Sequence, residues 1–159
     1  MAELIREMVI DARPGTVFPF LVDPQKHLAW LGTEVELDPR PGGTYRVQVG
    51  GEHLSVGEFV EVVPNERVVF TFGWAEPGHP IPSGSTTVTI SLTPEGDKTR
   101  LRLVHSGLPA DAVSDHTGGW DHYLGRLTIA AAGGNPGPDG GPQAVVAQLI
   151  RPEHALLTD

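Results

Sequence analysis

Thr99-Arg100-Leu101-Arg102-Leu103-Val104-His105-Ser106-Gly107-Leu108 reads as a β-strand with two unlike faces. Leu101, Leu103 and His105 fall on one face, and Arg100 and Arg102 fall on the other. That period of two marks an antiparallel strand with one buried and one wetted side. The same period extends upstream. Tyr45, Val47 and Val49 share a face, as do Val68, Phe70, Phe72 and Trp74, and Thr87-Val88-Thr89-Ile90-Ser91-Leu92 alternates throughout. Leu54 to Val63 is a further strand whose buried face the pattern leaves undefined, and Leu4 to Asp11 is a first strand rich in β-formers. Turns are expected at Gly42-Gly43, Gly50-Gly51, Pro64-Asn65 and Pro94-Glu95-Gly96-Asp97. The Pro- and Gly-rich stretch from Glu76 to Gly84 is expected to be a longer, mobile loop.

Helical signals flank this strand-rich middle. Pro14 suits the first turn of a helix, because its fixed φ fits there and its missing N–H is not needed. Pro19 deletes a backbone bond a few residues later, so a kink or break is expected. Asp23 as N-cap and Pro24 after it open a second short helix running toward Trp30. Beyond Gly107, Trp120, Leu124, Leu127 and Ala131 recur at helical spacing, predicting an amphipathic helix from about Gly119 to Ala132. Asp115 or Thr117 is the expected cap. A sheet and a helix, each with one apolar face, bury each other in a two-layer α+β domain.

Composition narrows the function. The chain has 159 residues, one domain by size, with 39% hydrophobic and 19% charged residues. It contains no cysteine, so disulfides, thiolate catalysis and cysteine-bound metal are excluded. Net charge is −9, and the only two lysines, Lys26 and Lys98, lie far apart, which argues against nucleic acid as a partner. Neither a signal peptide nor a run of roughly 18 apolar residues is present, so a soluble cytoplasmic protein without membrane insertion is expected.

The order of one strand, two short helices, six strands and a long helix is the helix-grip arrangement. Local motifs sharpen this. They are Val9-Ile10-Asp11-Ala12 leading to Val17-Phe18, Asp23-Pro24 before Leu28-Ala29-Trp30, and Asp38-Pro39-Arg40-Pro41-Gly42-Gly43. Gly57-Glu58-Phe59-Val60-Glu61-Val62, Arg67-Val68-Val69-Phe70-Thr71-Phe72, the strand quoted at the outset and Gly119-Trp120 complete the set. Over about residues 3–132 the chain resembles the family named after the activator of the ninety-kilodalton heat-shock protein's ATPase. That family sits in the superfamily of START lipid-transfer domains, birch-pollen-allergen-like proteins and polyketide cyclases. The resemblance implies a curved antiparallel sheet of six to seven strands around a long C-terminal α-helix, with two short helices after the first strand. The domain is expected over 1–132, followed by a Gly/Pro-rich linker at 133–143 and a tail at 144–159 whose order is left open.

The resemblance also implies a hydrophobic pocket between sheet and helix. Its candidate lining is Trp30, Tyr45, Phe59, Phe72, Trp74, His105, Trp120, Tyr123 and Leu124. The same residues suit an ordinary core equally well. His105 stands out as an imidazole on an apolar face, able to bond a ligand, to act as an acid or base, or simply to satisfy a buried neighbour. Glu58 and Glu61 fall on opposite faces of one strand by simple alternation, although a surface position suits each better. His116 and His122 match no metal-ligand spacing, and His79 is isolated in its loop, so no metal or cofactor is expected. The leading expectation is a binding protein for a small apolar or amphipathic ligand, as a monomer or homodimer, with no catalytic residue assigned. The alternatives are a co-chaperone or stress-response protein with a chaperone partner, and a cyclase or aromatase using His105 with Tyr45 or Tyr123.

Overall fold

A computed structural model describes residues 2–50 and 53–139. The tail at 144–159, the end of the linker and part of the Gly50-Gly51 turn lie outside the described residues. The chain opens with β1 (Ala2–Ile10), followed by three one-turn helices: α1 (Pro14–Val17), α2 (Pro19–Val22) and α3 (Pro24–His27). Six strands follow: β2 (Glu34–Leu37), β3 (Thr44–Val49), β4 (His53–Val63), β5 (Arg67–Phe72), β6 (Thr86–Glu95) and β7 (Lys98–Leu108). A single 3₁₀ turn at Ala110–Ala112 leads into α4 (Val113–Ala131). The seven strands form one antiparallel sheet in the order β1-β7-β6-β5-β4-β3-β2.

Two helices were expected after β1, and Pro19 makes them three. Phe18 closes α1 through its N–H to the Pro14 carbonyl and itself precedes Pro19 in α2, so the helical course is divided rather than stopped. The alternating faces are as expected. Tyr45, Val47, Val68, Phe70, Phe72, Val88, Ile90, Leu92, Leu101, Leu103 and His105 are buried on the face that α4 covers with Trp120, Tyr123, Leu124 and Leu127.

The face of β4 that simple alternation left open is resolved by a β-bulge. Phe59 pairs with Phe70 and Glu61 with Val69, so Val60 is the extra residue and stands exposed. The bulge shifts the alternation by one, and both Glu58 and Glu61 lie on the outside, Glu61 paired with Arg67 at 3.0 Å.

α4 begins six residues earlier than periodicity suggested. Asp115 and Thr117, expected as caps, lie inside it, and the N-cap is Ala112 without a side-chain bond. The early turns contain Gly118 and Gly119, which weaken helix propensity. Tertiary contact compensates: His116 donates through Nδ1 to the Ala112 carbonyl at 2.9 Å and accepts the Trp74 indole N–H at 3.2 Å.

The loop expected to be mobile is tied to the sheet. Trp74 donates its backbone N–H to Ile81 O at 2.8 Å, the Ile81 side chain is buried, and the Ile81 N–H donates to His79 Nδ1 at 2.9 Å. Gly73 permits this approach, since a Cβ there would collide with the Pro82 carbonyl.

Candidate functional site

Eight of the nine candidate lining residues occupy three neighbouring groups. Phe72, Trp74, His105 and Trp120 form the first, where the β5, β6 and β7 ends meet the N-terminal half of α4. The Phe72 ring lies edge-on to Trp74 at 5.2 Å and to His105 at 4.9 Å, and 6.2 Å from Trp120. Tyr45 and Phe59 form the second with Phe70, a residue not among the candidates. Tyr45 stacks on Phe70 at 4.1 Å and meets Phe59 edge-on at 5.9 Å. Trp30, at the α3–β2 connection, and Tyr123, in the C-terminal half of α4, both neighbour Asp139 and make the third, while Leu124 is fully buried in the core.

Polar groups within the first two clusters are matched internally. Trp120 Nε1 donates to His105 Nδ1 at 3.0 Å, so the ring proton resides on Nε2, which donates to Thr86 Oγ1 at 2.8 Å. The Thr86 hydroxyl donates in turn to the Phe72 carbonyl at 2.6 Å. Burial, with the nearby His116 adding to it, pushes the His105 pKa down to about 3. An imidazole held neutral with both nitrogens occupied is a connector between α4 and three strands. To serve as a general base it would have to surrender one of those bonds. Burial likewise pushes the Tyr45 hydroxyl well above its ordinary range, and Ser55 hydrogen-bonds it.

The third group differs because it borders open space. Leu28, Trp30, Leu31, Gly32 and Thr33 from the α3–β2 connection, Arg126 of α4, and Gly137, Pro138 and Asp139 surround a recess of about 280 Å³. Of the nine candidates, Trp30 lines it. The Trp30 indole is fixed by donation to the Phe20 carbonyl at 2.8 Å, and His27 packs beside it at 4.9 Å. His27 is itself buried, donating through Nδ1 to the Leu31 carbonyl at 2.8 Å, with its pKa lowered by burial to about 4.

Arg126 joins the walls. Its guanidinium donates to the carbonyls of Trp30 at 3.2 Å and Ala29 at 3.4 Å on one side, and of Gly137 at 3.0 Å and Pro136 at 3.5 Å on the other. The chain reaches that second side by reversing after α4. Gly133, at φ +96°, donates to Ala130 O, and Gly134 donates to Ile129 O, the Schellman ending that glycine favours. Residues 135–139 then return along the helix, and Asp139 accepts from His122 Nε2 at 2.7 Å and from the Tyr123 hydroxyl. Burial and the adjacent carboxylate together push the Tyr123 pKa well above its ordinary range.

Neither Arg126 nor the 135–139 return stood among the expected site residues. An arginine late in an amphipathic helix and a Gly-Pro stretch are ordinary surface signals, and only the fold brings them together. Among the described residues no group of three or more His, Cys, Asp or Glu side chains is placed to hold a metal, and no helix is long and apolar enough to cross a membrane.

A single antiparallel sheet curled over one long helix, with short helices after the first strand, defines a helix-grip protein. Residues 11–132 match the family described as activator of Hsp90 ATPase homolog 1-like protein, and the chain belongs to that family. An AHSA1-like protein from Rhizobium etli is 48% identical, with 87% of this chain and 86% of that one covered at a TM-score of 0.69. DynU16, a protein of the dynemicin biosynthetic locus, is 24% identical at a TM-score of 0.73. The match covers 84% of this chain but 48% of DynU16, so the chain spans about half its length. An Hsp90 activator from Plasmodium falciparum is 19% identical at a TM-score of 0.69, covering 82% of this chain and 96% of that one. These last two likenesses show the shared fold. No curated protein matches the chain.

Proposed function

We propose that this protein binds a small apolar or amphipathic molecule where the α3–β2 connection meets α4. The observation that carries this reading is the recess of about 280 Å³, with a Trp30 and Leu31 wall and the Arg126 guanidinium at its side. That volume lies near the small end of ligand sites, about 300–1,000 Å³, and the lining sets apolar Leu28, Trp30 and Leu31 beside charged Arg126 and Asp139, which suits an amphipathic molecule. Trp30 is the contact residue among the nine candidates. Access deeper, among Phe72, Trp74, His105 and Trp120, requires those rings to separate and the His105 bonds to break. Ligand-observed NMR with a set of small aromatic and short-chain aliphatic compounds tests the reading. Binding is expected to wild type and to be lost in Thr33→Phe, which fills the lip of the recess. Absence of binding, or equal binding to Thr33→Phe, overturns it.

A second reading, a co-chaperone, is supported by the family's description. Stimulation of an Hsp90 ATPase by this chain at stoichiometric concentration supports it, and an unchanged turnover rate rejects it. A cyclase-type reaction through His105 draws no support from an imidazole whose two nitrogens are already engaged.

A further inference from the structure

The C-terminal half of α4 presents His122, Tyr123 and Arg126 on adjoining positions, spaced so that neighbouring turns of the helix place their polar ends together. All three bond one short return of the same chain. His122 Nε2 and the Tyr123 hydroxyl donate to the Asp139 carboxylate, and Arg126 donates to the carbonyls of Pro136 and Gly137. An imidazole N–H, a phenol and a planar guanidinium beside an apolar wall constitute the donor set that recognises a carboxylate attached to an apolar body.

We propose that this stripe of α4 is a carboxylate-recognition site, occupied here by the chain's own Asp139. An incoming small apolar carboxylic acid displaces the 136–139 return, sets its carboxylate on His122, Tyr123 and Arg126, and lays its apolar part against Trp30 and Leu31. The inference rests on the ligand-binding reading above and names the chemical class of that ligand.

Three observations carry it. A carboxylate is already seated on the stripe, at 2.7 Å from His122. Two of the guanidinium hydrogen bonds run to the Pro136 and Gly137 carbonyls and leave with the return, and a carboxylate replaces them with shorter, charge-assisted contacts. The return itself is held by polar contacts rather than by apolar packing. Its Gly-Gly-Asn-Pro-Gly-Pro-Asp sequence brings little apolar surface to bury, its Pro136 contact is long at 3.5 Å, and the Asp139 side chain stays 28% exposed. The return therefore acts as an internal competitor, lowering the apparent affinity for an external acid by the fraction of molecules in which Asp139 is released.

The full chain is titrated with phenylacetate and with its neutral counterpart phenylacetamide, following backbone and indole resonances by NMR. Wild type, Asp139→Asn and the double variant Asp139→Asn/Arg126→Gln are compared, with the neutral Arg126→Met replacing Arg126→Gln where the latter does not fold. Phenylacetate is expected to bind Asp139→Asn about tenfold more tightly than wild type. That gain is expected to vanish in the double variant, while Asp139→Asn brings phenylacetamide no comparable gain. If Asp139→Asn gives no gain for phenylacetate, or the same gain for the amide, the carboxylate site is rejected while a neutral-ligand recess survives. If neither probe binds any variant, the carboxylate site and the ligand-binding reading both fall.

Discussion

The Trp120 indole N–H points at Nδ1 of His105 across 3.0 Å, and this single contact decides the protonation state of a fully buried histidine. Because Nδ1 accepts, Nε2 must donate, and it does so to Thr86. The chain of bonds from Trp120 through His105 and Thr86 to Phe72 crosses from helix to sheet without leaving the interior.

Removing the donor exposes the cost of an unmatched group. Trp120→Phe leaves His105 Nδ1 buried without a partner, at a penalty of about 1–3 kcal/mol beyond the lost ring area. The double variant Trp120→Phe/His105→Leu removes both ends, and Thr86 still has the Phe72 carbonyl. Urea unfolding is expected to find the double variant no less stable than Trp120→Phe alone. A strictly additive further loss contradicts the network.

Acid provides an independent readout. The folded-state pKa values of His105, about 3, and His27, about 4, lie below the ordinary histidine value of about 6.5. Each group therefore contributes stability that is complete above pH 6.5 and is lost as pH falls toward its folded pKa. Between pH 6 and 5, above most carboxylate titration, the unfolded chain takes up nearly two more protons at these two histidines than the folded one. Stability is expected to fall with a slope approaching about 2.7 kcal/mol per pH unit, about 1.4 for each histidine. Replacing either histidine by Gln halves the slope. A pH-independent stability in that window contradicts the buried, neutral assignment.

Gly73 is the third test. Gly73→Ala forces a Cβ against the Pro82 carbonyl, at an expected cost of about 1–3 kcal/mol. The loop should detach where it is pinned, so amide exchange at Trp74, whose N–H bonds Ile81 O, is expected to accelerate more than exchange at Val88 in the sheet. Uniform acceleration across β6 places the strain elsewhere.

Much of this architecture was readable from the order of residues. Leu101, Leu103 and His105 alternate with Arg100 and Arg102 because a half-buried strand must, and Trp120, Leu124 and Leu127 repeat as a helix facing it does. What escaped reading depends on partners distant in sequence. No local pattern reveals that Trp74 holds His116, so the first turns of α4 look like loop around Gly118 and Gly119. The bulge at Val60 is a pairing event between two strands and leaves no mark on either alone. His105 was visible as unusual, but its two bonds join residues 86 and 120. The recess was least legible. It depends on Arg126 reaching Ala29, Trp30 and the 136–137 carbonyls together, and Gly-Pro composition is silent about such bonds.

The most direct test of the account is where a bound small molecule sits. Backbone and arginine Nε resonances recorded during titration with a neutral aromatic such as phenylacetamide report this. Shifts concentrated at Leu31, Gly32, Thr33 and Arg126 are expected, with the indole N–H signals of Trp74 and Trp120 unmoved. Shifts centred on Trp74, His116 and Trp120, or no saturable shift at all, contradict this placement.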